Sequence, residues 1–421
     1  MSTFQSAPDG VAPLVPVAAH LERILATVEP LRTVEAVRLA DAAGRTLATG
    51  VDALVDLPSF DNSAMDGYAV RRADVAAAAD DAPVVLDVVA DLPAGSAEEV
   101  TLGPGQAARI MTGAPVPAGA DAVVPVERTD AGTTRVAIHA APRPGHHIRL
   151  RGEDLRAGDR VLTAGMELDA RRVAAAAAAG VAELPVVAVP RVAVVATGSE
   201  LVEPGAPLAR GRIHDSNSLL LAALVTEAGC VVSEALRLPD EPQDLRDWLE
   251  SRAPCDAVVF SGGVSVGAYD VVRTVLGELG TVDFPRVAMQ PGKPQAFGVL
   301  PDGTPVFGLP GNPVSVAVSF EAFVRPALLR LAGRADVRRP TWHVPAEAGW
   351  RSPSGRRQYM PIALGTDDRG TPTVHPASPA SAGGAGSHLV GGLALADGFA
   401  IIPEDVDEVA VGDVVEVAVT R

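Results

Sequence analysis

Apolar residues at Leu21, Ile24, Leu25 and Val28 mark one helical face, and Pro30 ends the run, so a helix is predicted over 17–28. Residues 35–48 read as a strand followed by a turn at Gly44. From 58 to about 150 the pattern shortens. Alternating segments such as Val84-Val85-Leu86-Asp87-Val88-Val89 and Arg135-Val136-Ala137-Ile138 are split by Gly and Pro, which predicts a small β-rich domain. Residues 168–180 end in an alanine-rich helix stopped by Gly180. The first 13 residues, polar with Pro and Gly, are expected to be disordered.

Residues 191–335 change character. Val192-Ala193-Val194-Val195-Ala196, Ala257-Val258-Val259-Phe260 and Val306-Phe307-Gly308-Leu309 are continuous apolar runs. Helical patterns over 216–228, 244–251 and 314–331 separate or follow them. Buried strands alternating with amphipathic helices predict a parallel α/β sheet. Ligands of open α/β sheets bind in the loops after the strands, here Thr197-Gly198, Ser261-Gly262-Gly263 and Pro310-Gly311-Asn312-Pro313. After Gly333-Arg334-Ala335 the chain returns to short β segments, around Val374, over 399–402 and over 414–419.

Composition narrows the class. The 421 residues suit roughly three domains by length. Apolar residues make up 48 % and charged residues 21 %, which excludes a disordered chain. Aromatics are only 4 %, so the core must be mostly Ala, Val and Leu. The net charge of -17 argues against non-specific nucleic-acid binding, though backbone N–H groups still suit small anions. Cys230 and Cys255, the only cysteines, exclude a disulfide framework and a cysteine-rich metal site, and read as buried thiols of a reducing compartment. Residues 1–20 hold no Lys or Arg, so no secretory n-region is expected. The most apolar stretch, 173–189, is broken by Glu183 and too weak to span a bilayer. The expectation is a cytoplasmic protein with no nucleic-acid and no membrane partner.

Three segments carry candidate chemistry. No G-x-x-x-x-G-K-[ST] occurs, and Ser261-Gly262-Gly263-Val264-Ser265-Val266-Gly267 does not fit G-x-G-x-x-G. That loop either wraps a phosphate with backbone and hydroxyl donors or is a tight turn. Asp61-Asn62-Ser63-Ala64-Met65-Asp66-Gly67-Tyr68 suits a metal or proton-transfer role, or a polar turn with Asx bonds. In Ile110-Met111-Thr112-Gly113-Ala114-Pro115-Val116-Pro117 the threonine either faces a cleft or ends an ordinary strand.

Read together, these segments resemble the molybdopterin molybdenumtransferase (MoeA) family, which is related to the E domain of gephyrin. The resemblance runs from Pro58-Ser59-Phe60-Asp61 and its continuation to Val70, through residues 110–117, Arg151-Gly152-Glu153-Asp154 and Thr197-Gly198-Ser199-Glu200-Leu201. It continues in residues 261–267 with Asp270, Gln290-Pro291-Gly292-Lys293-Pro294, Leu309-Pro310-Gly311-Asn312-Pro313-Val314-Ser315 and Gly386-Ser387-His388.

The resemblance implies a multidomain, elongated α/β subunit working as a homodimer. Its parts would be an N-terminal helix with a linking domain (14–54 and 151–189) and a β-rich domain (55–150). A parallel-sheet, molybdopterin-binding α/β domain (190–337) and a C-terminal β-barrel (338–421) would complete it. The implied reaction inserts molybdate into the dithiolene of adenylylated molybdopterin, with Mg²⁺, and releases AMP.

By the same resemblance Asp66, Glu200, Asp240 and Asp270 match the family's functional carboxylates, and Thr112 a cleft residue. Glu200 and Asp270 would hold the metal. Ser261, Gly262, Gly263, Ser265, Pro310, Gly311 and Asn312 would bind substrate, and Lys293, Ser315, Arg356 and Ser387 molybdate. Partners implied are a second copy, the small-molecule substrate and a transient contact with molybdopterin adenylyltransferase. Two departures stand out: the family often has a lysine at the position held here by Gln290, and an arginine near Pro361. Either the oxyanion site is less cationic here, or Arg286, Arg356 or Arg357 replaces the charge. Other readings are a non-catalytic molybdopterin-binding or scaffold protein of this fold, and the adenylyltransferase itself, which lacks the two β-rich regions.

Overall fold

The computed structural model describes residues 13–264, 270–378 and 386–420. The expected disorder at the N-terminus concerns residues 1–13, of which 1–12 lie outside that range.

The apolar runs form the middle of a six-stranded sheet. Its order is Val231–Leu238, Arg191–Thr197, Ala257–Ser261, Pro305–Leu309, Ala296–Val299 and Val282–Asp283. Ala257–Ser261 and Pro305–Leu309 are buried at every position, as strands covered on both faces must be. Alternate residues feed two cores. Val192, Val194, Val259 and Phe307 meet the helices Asn217–Glu227 and Arg325–Leu331 on one face. Ala193, Val195, Val258 and Phe260 meet Pro242–Ser251 and Val271–Glu278 on the other.

The sheet is not parallel throughout. Its first four strands are parallel, but Ala296–Val299 runs antiparallel to Pro305–Leu309, and Val282–Asp283 antiparallel to Ala296–Val299. Residues 300–304 are too short for a crossover, so only a hairpin closes them. The 314–331 pattern is helical, with a π turn at Phe320–Val324 between Pro313–Ser319 and Arg325–Leu331. Pro326 follows that turn and has no N–H to give to the preceding carbonyls.

The predicted first helix is Val17–Thr27, and its Val17 and Ile24 are buried in the first core beside Phe320 and Phe323. His20 is buried with them, its ring 4.7 Å from that of Phe323 and edge-on to it. Burial, helped by the nearby Arg23 charge, lowers the imidazole pKa to about 4. The unfolded chain takes up a proton near the ordinary value of 6.5, whereas the folded chain does so only near 4. Stability should therefore fall as pH drops through that window. Between pH 7 and 5 the wild type should lose roughly 2 kcal/mol more than His20→Leu, measured by urea unfolding. Equal losses would place His20 outside the pH response.

The segments on either side of the β-rich region meet each other. Val34–Arg38 pairs antiparallel with Glu183–Val187, and Val51–Asp52 with Arg160–Leu162, over a core of Leu47, Leu162, Leu168 and Leu184. The alanine-rich helix is Ala170–Ala178; Asp169 caps it by accepting from Arg172 N at 2.9 Å. The β-rich region is a five-stranded sheet, ordered Ala122–Pro125, Gly67–Val70, Gln106–Ile110, Val84–Leu92 and Arg135–Ile138. Tyr68 is fully buried in it and donates its hydroxyl to Gly132 O at 3.0 Å.

In the C-terminal sheet Arg357–Thr366 pairs with Gly398–Ile402, which pairs with Val414–Val419, which pairs with Thr341–Pro345. Met289–Gln290 from the α/β region adds a parallel strand to Arg357–Thr366. Arg357 N donates to Ala288 O at 2.9 Å, so the Gln290 motif is tied to the C-terminal region. Cys230 is buried and its thiol pKa is pushed up to about 12 by desolvation; Cys255 is half-buried beside Arg252. Among the described residues no helix is long and apolar enough to cross a membrane.

Candidate functional site

A cavity of about 1000 Å³ opens at the carboxyl ends of the parallel strands. The loop after Arg191–Thr197 brings Glu200 to it. The Glu200 carboxylate folds back over the loop, close to where a Cβ at Gly198 would lie (2.8 Å). The loop is laced to the one after Val231–Leu238: Asp240 Oδ2 accepts from Ser199 N at 2.8 Å, and Asp240 N donates to Ser199 Oγ at 3.2 Å. Asp270, at the start of the Val271–Glu278 helix, lines the same cavity.

The loop after Ala257–Ser261 turns at Gly262 and Gly263, with φ of +93° and +68°. A Cβ on Gly262 would come within 2.7 Å of Thr197 O, so this turn needs glycine twice over. The loop after Pro305–Leu309 carries Pro310, Gly311 and Asn312, and Asn312 Nδ2 donates to Ser387 Oγ at 2.9 Å. Pro313 then opens a helix whose Ser315 is 3 % exposed yet lines the cavity.

Lys293, Gln290 and Arg356 complete the wall. Desolvation, and then the charges of Arg286 and Arg356, lower the Lys293 pKa. Of the three arginines considered as replacements for the missing lysine, Arg286 and Arg356 thus sit within electrostatic reach of Lys293. Arg357 instead pairs with Glu404 at 3.2 Å.

Glu200, Asp240, Asp270, Ser261, Gly262, Gly263, Lys293, Pro310, Gly311, Asn312, Ser315, Arg356 and Ser387 therefore share one cavity. Ser265 lies outside the described residues. Asp66 and Thr112 do not line the cavity; they meet on the β-rich sheet. Asp66 Oδ1 accepts from Thr112 N at 2.7 Å and from Thr112 Oγ1 at 2.8 Å. Those two bonds, backbone first, hold the Asp66 carboxyl below its ordinary pKa. Among the described residues no group of three or more His, Cys, Asp or Glu side chains is placed to hold a metal by itself.

Sequence reasoning missed Asp215 and Asn217. Asp215 is 2 % exposed, lines the cavity and accepts from Ser218 N at 3.1 Å. Asn217 is also buried. The available signal was the polar triplet Asp215-Ser216-Asn217 just before a helical pattern, which reads as nothing more than a helix cap.

Family models match most of the chain. The MoeA N-terminal region (domains I and II) matches residues 15–180, a probable molybdopterin binding domain 193–330, and the MoeA C-terminal region (domain IV) 343–420. Molybdopterin molybdenumtransferase 2 of Mycobacterium tuberculosis is 46 % identical over 388 residues, 90 % of this chain and 94 % of that protein. Molybdopterin molybdenumtransferase of Haemophilus influenzae is 34 % identical over 388 residues, 91 % of this chain and 93 % of that protein. The crystal structure of a molybdopterin biosynthesis MoeA protein from Pyrococcus horikoshii aligns with a TM-score of 0.79 at 29 % identity, covering 97 % of this chain and 100 % of that one. On these matches the chain belongs to the molybdopterin molybdenumtransferase (MoeA) family.

Proposed function

We propose that this enzyme of molybdenum cofactor biosynthesis inserts molybdate into the dithiolene of adenylylated molybdopterin and releases AMP. The observation that carries the reading is one cavity lined by three carboxylates (Glu200, Asp240, Asp270) together with Lys293, Arg356, Ser315 and Ser387. The carboxylates suit the phosphoanhydride end of the substrate, and the cations and hydroxyls suit a dianion.

The donor chemistry fits Mg²⁺. This ion takes one or two carboxylates and fills its remaining positions with phosphate oxygens and water, so a three-residue cage is not required. Glu200 and Asp270 would hold it, and when bound it would neutralise charge on the phosphate oxygens. Asp240, bonded to Ser199 N, fixes the loop that presents Glu200. Lys293 and Arg356 draw in molybdate, and the hydroxyls of Ser315 and Ser387 supply neutral donors.

A second copy of the chain completes the site in this reading. Asp66 and Thr112 lie away from their own cavity, and Leu54, Val55, Phe60 and Leu150 are 65, 41, 44 and 57 % exposed where the β-rich region leaves the linking segments. Burial of those residues in a two-fold dimer would let one subunit's β-rich domain reach its partner's cavity. Light scattering should give a dimer at micromolar concentration; a monomer would remove this part of the reading.

The proposed subunit is elongated, with linking domain 14–54 and 151–189, β-rich domain 55–150, α/β domain 190–337 and barrel 338–421. The bond from Glu347 N to Val374 O, at 2.8 Å, supports closure of the C-terminal strands. A cytoplasmic location and a transient contact with molybdopterin adenylyltransferase follow from the need to receive an adenylylated substrate.

The deciding experiment incubates the protein with adenylylated molybdopterin, Mg²⁺ and molybdate, and follows AMP release with activation of an apo-molybdoenzyme. Binding without AMP release would instead favour the scaffold alternative. Lys293→Ala should raise the molybdate concentration for half-maximal insertion by about tenfold or more, which is roughly 1.4 kcal/mol. Gln290→Lys should leave it unchanged if Arg286 and Arg356 already supply the charge. A tighter midpoint in Gln290→Lys would mean they do not.

A further inference from the structure

We infer that Asn217 is a positioning residue that locks two substrate loops of the cavity into one register. Its Nδ2 donates to Ser261 Oγ at 2.9 Å and to Gly311 O at 2.6 Å. Only the amide nitrogen can donate to the Gly311 carbonyl, so the orientation of the side chain is fixed. Ser261 ends one parallel strand and Gly311 follows the next, so a single side chain joins the glycine turn at 262–263 to the Pro310-Gly311-Asn312 loop. A second bond, from Gly262 N to Leu309 O at 3.0 Å, runs between the same two loops. The two loops run side by side: a Cβ on Gly311 would lie in ordinary van der Waals contact with Gly262 Cα, at 3.6 Å.

Asn217 Oδ1 is buried with no hydrogen-bond partner among the described residues, and so is Thr197 Oγ1 behind the glycine turn. Asn217 comes from the helix Asn217–Glu227, whose Leu221 and Val225 are anchored in the core, so the clamp is held by a rigid element.

The inference deepens the proposed function and rests on it for its kinetic arm only. Hydrogen exchange on the substrate-free protein tests the clamp by itself. In Asn217→Ala the amides of residues 261–264 and 311–312 should exchange about tenfold faster or more, with the rest of the sheet unchanged. In the kinetic arm Asn217→Ala should raise KM for adenylylated molybdopterin about tenfold while the molybdate midpoint stays put. Ser261→Ala should then cost much less in the Asn217→Ala background than in the wild type, because the coupling between them is already lost. Unchanged exchange in those loops, or additive effects of Ser261→Ala and Asn217→Ala, would overturn the clamp. Should Asn217→Ala fail to fold, Asn217→Ser takes its place in both arms with the same expected and overturning results. Faster loop exchange in a protein that releases no AMP would leave the clamp standing and sink the proposed reaction instead.

Discussion

Asp270→Asn is expected to slow AMP release by about 10²–10³-fold, the usual penalty for removing one charged group that stabilises a transition state. The substitution keeps the side chain's size and takes away only its charge. Asp270 shares its cavity with Glu200 and Asp240 and comes from the start of a helix whose Val271, Val272, Val275 and Leu276 are buried, so its position is fixed by the core. Binding of molybdopterin, measured by calorimetry, should survive, because the ring and thiolates need no cation bridged to the phosphates. Turnover near that of the wild type would make Asp270 a turn former and nothing else.

The second expected result concerns shared sites. Asp66→Asn and Asp270→Asn should each be inactive, yet subunits of the two variants mixed after reversible dissociation should regain activity. In a random two-fold dimer half the molecules are mixed, and each mixed dimer holds one site with both residues intact. Activity should therefore return to about a quarter of the wild-type level. Asp66→Asn leaves an oxygen for Thr112 N, so the loop geometry is kept while the carboxylate charge is lost. A mixture that stays inactive, in protein shown to exchange subunits, would mean that Asp66 does not serve the partner's cavity.

At the cavity wall, desolvation and then the charges of Arg286 and Arg356 lower the Lys293 pKa. The loop that carries Glu200 is laced to the next strand-end loop by the bond from Ser199 N to Asp240 Oδ2.

Strand identity was legible in the sequence because burial on both faces forces continuous apolar runs, and Val192–Ala196, Ala257–Phe260 and Val306–Leu309 all became central strands. The cavity loops were legible for the same reason, since each run ends in Gly, Ser or Pro at the carboxyl edge. The single-face spacing of Leu21, Ile24 and Val28 was enough for the first helix, but not for its docking site, because the pattern records which face is buried and not what buries it.

Tertiary structure alone decided the rest. Parallel and antiparallel strands bury the same side chains, so the reversed edge of the sheet came from the five-residue connection at 300–304, not from any pattern. His20 reads as a polar face residue until Phe297 and Phe323 close over it. Asp66 and Thr112 read as one site with the strand-end loops, yet in one chain they bond each other away from the cavity, because a sheet of its own carries them. Asn217, 44 residues from Ser261 and 94 from Gly311, joins them only after the sheet has ordered its strands. Local pattern fixes which residues are buried and where the chain turns. Which polar groups then face each other depends on chain closure over tens of residues, and that information lies in the packing of the sheet.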